Sequence, residues 1–285
     1  ISGLSAGLVA RALGLQRPKD NGWVILGANE LGQTLARVLQ GAGEDVVCMD
    51  SSAIVARQAR AAGLKVLVGN ALDEDLHDQA DMSIRRGVVG CTPNEEVNLL
   101  FARKAKSHSG ISRFIVGVRT ADEGITPEMI THEGGRVLFG ACHDARMWSE
   151  QIRRGLTSVE EWVFDGEASQ ADIAIVAGTD TACLPLTITQ NGRISPVDDG
   201  VTLAKGDVCT FILNEDRRAD AEERLIENGW RLQPAADEAL SLDADGQLAR
   251  EAGGFYFRRD EDGRVSLDQS VVPEFIDIEY AGDAL

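Results

Sequence analysis

Residues 23–32 read WVILGANELG: four apolar residues, Trp23 to Leu26, run into Gly27, followed by Asn29 and Gly32. A helix-like stretch, QTLARVLQGAG, comes next, and a second apolar run, DVVCMD, ends on Asp50. A glycine-rich turn between a strand and a helix lets backbone N–H groups approach a phosphate, and the helix N-terminus adds partial positive charge. An acid ending the second strand then accepts hydrogen bonds from ribose hydroxyls. Asp50 lies 23 residues after Gly27, as that arrangement requires. The candidate nucleotide-binding residues are therefore Gly27, Ala28, Asn29, Glu30, Leu31 and Gly32 in the turn, with Asp50 and Ser51 after the second strand.

The turn is G-x-N-x-x-G, with Asn29 where a dinucleotide enzyme carries its second glycine. Asn is the non-glycine residue that best tolerates a left-handed backbone. Asn29 is expected to use that tolerance and to offer its amide to a phosphate oxygen. On this reading phosphate binding survives, while a bulky dinucleotide fits less well.

Working outward, apolar runs rich in Val and Ile alternate with helical patterns from 22 to 140. Strands are expected at 23–27, 45–50, 65–68, 87–91, 113–118 and 136–139, with helices at 30–41, 52–62, 72–80, 94–107 and 126–133. Such alternation gives parallel strands joined by crossover helices, a doubly wound sheet that binds ligands at the carboxyl ends of its strands. Gly69-Asn70-Ala71 and Cys91-Thr92-Pro93-Asn94-Glu95 fall on that rim. Asn70, Ala71, Thr92, Pro93 and Asn94 are candidates to read a base or ribose, and Thr92 or Asn94 also suits a helix cap. Residues 141–156 read as one more helix.

After that the pattern changes. DIAIVAG, LPLTITQNG and DVCTFIL are short and β-like, with turns at Asn191-Gly192 and Asp199-Gly200, and AEERLIENGW is helical. The tail holds a hairpin pattern, GGFYFRRDEDGRVSL, with Asp262-Gly263 at its turn. Asp260, Asp262 and Asp268 lack the full ligand series and closing Glu of a calcium loop. Residues 1–15 carry one charge, Arg11, and precede a polar linker. Two readings stay open for them, the cytosolic end of a transmembrane helix or an ordinary packing helix. A first residue of Ile1 fits a piece of a longer protein.

The fold expectation is thus α/β, a Rossmann-like doubly wound parallel sheet followed by a smaller β-rich α+β domain. The chain divides into a helix and linker at 1–21, the sheet domain at 22–156, the smaller domain at 157–230, and an extension at 231–285.

Net charge is −18 over 285 residues, and it is unevenly placed. Residues 1–21 carry +2, residues 22–156 about −2, and residues 157–285 −18. No basic stripe is present, which argues against nucleic acid as a partner. Five single cysteines, at 48, 91, 142, 183 and 209, form no C-x-x-C pair, and four scattered histidines give no metal-ligand spacing. His77, His108, His132 and His143 are expected on polar helix faces or turns.

Together these residues resemble the RCK (TrkA-N type) nucleotide-binding domain. That family runs a strand into a glycine-rich turn, ends strand two on an acid, places G-D-A after strand three and an Ala-rich turn before strand four, and carries an inward Asn on a later helix. Here those places hold GANELG, Asp50, Gly69-Asn70-Ala71, Ala80-Asp81 and Asn98. Asn29 for Gly and Asn70 for Asp are departures, and they bear on which ligand binds. Residues 184–213 are similar to the RCK C-terminal subdomain, with Leu203, Gly206 and Asp207 matching its closing turn. The opening GLSAGLVARALGLQRP is similar to the end of the last membrane helix of bacterial sodium(potassium)/proton antiporters.

The resemblance implies a regulatory module, not an enzyme, which binds an adenine nucleotide (AMP, ADP, ATP or NAD(H)) and gates a monovalent cation/proton antiporter. It implies a homodimer through the Rossmann domain, attachment to a membrane antiporter domain of the same polypeptide, and a place at the cytoplasmic face of the inner membrane. It carries no catalytic residue and no metal ligand. A free-standing regulatory subunit of a potassium uptake system is the alternative. An NAD-dependent oxidoreductase is further off, because neither Tyr256 nor Tyr280 has a lysine four residues on.

Overall fold

Every residue of β1, Trp23–Leu26, is buried, and successive side chains enter two different cores. Trp23 and Ile25 join one apolar cluster, while Val24 and Leu26 join a second on the opposite face. A strand buried on both faces reads as an unbroken apolar run because alternate side chains serve opposite layers. The structure, a computed structural model, describes residues 22–120, 124–166 and 181–233, and the backbone of strands at 257–259 and 265–267.

Six parallel strands form the first sheet in the order β3-β2-β1-β4-β5-β6. They are β1, β2 (Val46–Asp50), β3 (Lys65–Val68), β4 (Gly87–Gly90), β5 (Phe114–Val116) and β6 (Arg136–Val137). The order reverses between β1 and β4, and such a switch point opens a crevice at the strands' carboxyl ends. Helices α1 (Glu30–Gly41) and α2 (Ala53–Ala61) cover one face. Helices α3 (Glu74–Gln79), α4 (Glu95–Ser109) and α5 (Pro127–His132) cover the other. α1 buries Leu31, Leu35 and Leu39, one apolar stripe at a spacing of four. Each such side chain contributes about 1.5–3 kcal/mol of hydrophobic transfer free energy.

The expected strands and helices of this sheet are present, with ends shifted by a few residues. The 72–80 helix is shorter, because Asp81 adopts φ 53° and the chain turns into a 3-10 segment, Met82–Ile84. The last strand is only Arg136–Val137, and Leu138 forms an isolated antiparallel bridge with Asp198. Helix α6 (Ala145–Arg153) starts where the Asp144 carboxylate accepts from the N–H groups of Arg146 and Met147.

The second sheet is antiparallel, in the order β11-β7-β10-β8-β9. β8 (Cys183–Gln190) and β10 (Val208–Asn214) carry two of the foreseen segments, and β9 (Arg193–Pro196) follows the foreseen turn at Asn191-Gly192. β7 (Thr157–Phe164) and β11 (Trp230–Leu232) were not among them. In β7, Ser158, Trp162 and Phe164 are buried while Val159 and Glu161 are exposed, so one face is solvated and its acids mask the strand signal. Leu184, Leu186, Ile194 and Ile212 join the core shared with β1 and α1. The other face packs Trp162, Phe164, Phe211 and Trp230 against α7 (Arg218–Glu227) through Ala221 and Leu225. The chain is thus the expected α/β fold, a Rossmann-like parallel sheet followed by a smaller β-rich part.

In the tail, β12 (Phe257–Arg259) pairs antiparallel with β13 (Val265–Leu267), Phe257 opposite Leu267. The hairpin turn at Asp262-Gly263, the carboxylates of Asp260, Asp262 and Asp268, the DIAIVAG segment and residues 1–21 lie outside the described residues.

His77 and His143 are buried rather than on polar faces. His77 Nε2 lies 2.7 Å from the Ala71 carbonyl oxygen, with the ring edge-on to Phe101. His143 packs edge-to-face on Phe139, and burial pulls its pKa down to about 4.

Candidate functional site

Gly27 ends β1 with φ +105°, a conformation that disfavours any side chain. A Cβ there would meet the Cys91 carbonyl oxygen at 3.0 Å. Gly32 sits in the first turn of α1, where a Cβ would lie 2.1 Å from the Gly27 carbonyl oxygen. The two glycines thus let the helix start directly against the end of the strand.

Asn29 corrects one expectation. Its φ is −65° and its ψ 174°, so the backbone is extended, not left-handed. Its Oδ1 accepts the Gly32 N–H at 2.8 Å as the cap of α1, and its Nδ2 donates to the Cys91 carbonyl at 3.1 Å. The first turn of a helix leaves its leading N–H groups without intrahelical acceptors, and this cap takes that of Gly32. Asn29 therefore staples the β1 turn to the β4 turn.

The Asp50 carboxylate accepts the Ala28 N–H on Oδ2 and the Ser52 N–H on Oδ1, both at 2.8 Å. Ser52 in turn caps α2 by accepting from Val55. Gln33 Nε2 donates to the Ala28 carbonyl at 2.8 Å, so both backbone groups of Ala28 are held.

Behind β4, Asn98 is fully buried on α4. Its Oδ1 accepts from the Thr92 N–H at 3.0 Å and lies 2.7 Å from the Thr92 hydroxyl. Its Nδ2 donates to the carbonyls of Thr92 at 2.9 Å and Gly117 at 3.1 Å. Asn98 thus sets the Thr92 turn from below. Asn94 is the cap of α4, accepting the Val97 N–H at 2.9 Å.

These turns enclose an open cleft of about 410 Å³ above the switch point. Of the candidate residues, Gly27, Asn29, Glu30, Asp50, Ser51, Thr92 and Pro93 line it. Ala28, Gly32 and Asn98 stand behind the wall, and the Leu31 side chain is fully buried in the core. Asn70 and Ala71 lie outside the lining: Asn70 accepts the Leu72 N–H at 3.1 Å and donates to Asp73, a local turn before α3.

Val55 of α2 and Arg146, Ser149, Glu150 and Arg153 of α6, none of them a candidate from the sequence, complete the lining. Those α6 positions follow i, i+3, i+4, i+7 spacing, a polar stripe on one helical face. The stripe was legible in the sequence, but its facing the β1 turn comes from packing. Arg153 and Arg154 hydrogen-bond to Glu150 and hold its carboxyl below the ordinary carboxylate range. The Ser149 hydroxyl is buried with no protein partner among the described residues. The cleft's charges are Glu30, Asp50 and Glu150 against Arg146 and Arg153.

Beneath the cleft, burial pushes the thiols of Cys48 and Cys91 up to about 12, so both stay protonated and serve as packing groups. Among the described residues, no group of three or more His, Cys, Asp or Glu is arranged to hold a metal ion. No helix among them is long and apolar enough to cross a membrane.

The strand, turn and acid so arranged define a nucleotide-binding type of parallel sheet, and comparison with known proteins identifies the segment. Residues 23–131 match the family model of the TrkA-N domain. The chain is 29% identical over 171 residues to the glutathione-regulated potassium-efflux system protein KefC of Enterobacter sp. (strain 638). That alignment covers 53% of this chain but only 28% of the relative. Among solved structures, the TrkA-N domain of inner membrane protein ybaL from Escherichia coli aligns at 18% identity over 47% of this chain and 96% of that one, with a TM-score of 0.39. The GsuK channel bound to NAD aligns at 13% identity over 77% of this chain and 43% of that one, with a TM-score of 0.35.

Proposed function

We propose that this chain is a nucleotide-sensing regulatory module of a monovalent cation/proton antiporter. An adenine nucleotide (AMP, ADP, ATP or NAD(H)) binds the cleft above β1 and β4, and its binding biases ion transport. The observation that carries the nucleotide reading is the single cleft into which Gly27, Asn29, Asp50 and Thr92 converge. The leading N–H groups of α1 meet the phosphate, and the outer lone pairs of Asp50 accept from the ribose. The transport reading is supported by the TrkA-N match and by the KefC-named relative.

The module is regulatory rather than catalytic in this reading. It works as a homodimer through the Rossmann domain, joined to a membrane part of the same polypeptide at the cytoplasmic face of the inner membrane. A nucleotide biases transport only if it binds one arrangement of the module more tightly than another.

A thermal-shift series with AMP, ADP, ATP, NAD and NADH tests the site. A ligand at 100 times its Kd adds about 2.7 kcal/mol of stability. A shift with one of them that is lost in Asp50→Ala supports the proposal. No shift with any of the five at millimolar concentration overturns it.

A further inference from the structure

We propose that Ser149 of α6 reads a phosphate group of the nucleotide, with Arg146 and Arg153 flanking it on the same helical face. The inference rests on the nucleotide reading above and deepens it: α1 meets the phosphate from one side of the cleft and α6 from the other. Ser149 lines the cleft, yet the residue is only 8% exposed and its hydroxyl has no protein partner among the described residues. A serine inside a helix ordinarily turns its hydroxyl back to the carbonyl four residues earlier, and this one does not. A buried hydroxyl left without a partner costs free energy, and a group entering the cleft is what would offset it.

The neighbours of that hydroxyl decide which group it takes. Arg146 stands three residues before Ser149 and Arg153 four residues after, so both guanidiniums share its face of the helix and line the same cleft. The charge of Arg153 is reinforced by its bond to Glu150 and, more weakly, by Glu30, the first residue of α1, so it acts on the helix start assigned to the phosphate. The cleft's acids are partly occupied already. Asp50 accepts from the Ala28 and Ser52 N–H groups, and Glu150 from Arg153 and Arg154. A hydroxyl donor between two permanent cations suits an oxyanion better than a base edge. The stripe is also held in place before any ligand arrives. On its other side α6 buries Trp148 and packs Met147 and Ile152 against the core that contains Leu31 and Leu35 of α1.

Calorimetric titration of the full chain with AMP, ADP, ATP, NAD and NADH, in wild type and in Ser149→Ala, tests this. Ser149→Ala should weaken the tightest of the five about tenfold, as loss of a hydrogen bond to a charged group does. The phosphorus resonances of that nucleotide, bound at saturation, should move between the two proteins. Arg146→Gln should weaken it as well. Arg103→Gln, which removes the same charge from an exposed pair with Glu133 on α4, should leave it unchanged. Alanine is the strongest helix former, so Ser149→Ala should melt at or above the wild-type temperature without ligand; a lower one marks a structural serine and overturns the inference. Equal affinity, or weaker affinity with unmoved phosphorus resonances, overturns it while leaving the nucleotide reading intact. Binding of none of the five by wild type overturns both.

Discussion

Asp50 holds Ala28. The carboxylate ending β2 accepts the amide of the residue after Gly27 at 2.8 Å, while its other oxygen accepts from Ser52 at the start of α2. One side chain therefore fixes the glycine turn and the neighbouring helix together. Asp50→Ala is expected to lower unfolding free energy by about 1–3 kcal/mol, the loss from leaving such donors unpaired. It should also weaken adenine-nucleotide binding by about tenfold or more, about 1.4 kcal/mol. Urea unfolding and titration on the same sample check both.

Gly32→Ala drives a methyl group toward the Gly27 carbonyl oxygen, 2.1 Å from the ideal Cβ position. The backbone oxygen cannot swing aside as a flexible side chain would, so α1 must shift. A loss of about 2 kcal/mol is expected, in the range of core overpacking. An unchanged melting temperature would count against this tight approach.

Asn98→Leu keeps the side-chain volume but removes the group that pairs with the Thr92 N–H and the carbonyls of Thr92 and Gly117. These backbone groups lose their partners beside the fully buried position 98. A destabilisation of about 3 kcal/mol follows. The Thr92 turn should also loosen, visible as faster amide exchange at Thr92.

Glu30 places a carboxylate at the mouth of the cleft, within the first turn of α1. If the nucleotide's phosphates lie at that helix start, Glu30 repels each added phosphate charge. Glu30→Gln should therefore tighten ATP more than AMP, by a few tenths to about 1 kcal/mol at solvent-exposed separations. The ratio of the two affinities, measured in low salt, checks it. An unchanged ratio places the phosphates elsewhere.

Burial holds His143 at about 4 in the folded chain, below the ordinary value of 6.5. Above pH 6.5 both folded and unfolded states carry it neutral, and it contributes no pH dependence. As pH falls from 6.5 toward 4, the unfolded chain takes up a proton that the folded chain does not. Stability therefore drops across that window, by about 3 kcal/mol for this group. His143→Phe should flatten that part of the pH–stability curve. The difference between the two curves isolates this histidine from carboxylates that titrate nearby.

The alternation of short Val- and Ile-rich runs with helical patterns made the parallel sheet legible, because strands buried on both faces admit few polar residues. The cap at Asn94 was also legible, since its side chain reaches an amide within three residues. β7 was not legible: its solvated face carries Glu161 amid the apolar positions, and only pairing with β10 and β11 makes it a strand. The two buried histidines were misplaced for a related reason, since a polar side chain near a helix face says nothing of what later packs over it.

By itself the sequence determined the glycine turn, the acid 23 residues after it, and the order of strands and helices in the parallel sheet. These depend on local backbone freedom and on the periodicity of apolar residues. Tertiary structure decided the rest. It turned Asn29 from a left-handed turn residue into a staple between two loops, and removed Asn70 from the cleft. It also brought the polar stripe of α6 across the mouth. Those outcomes depend on contacts between residues far apart in the chain, such as Asn29 with Cys91, which no local pattern records.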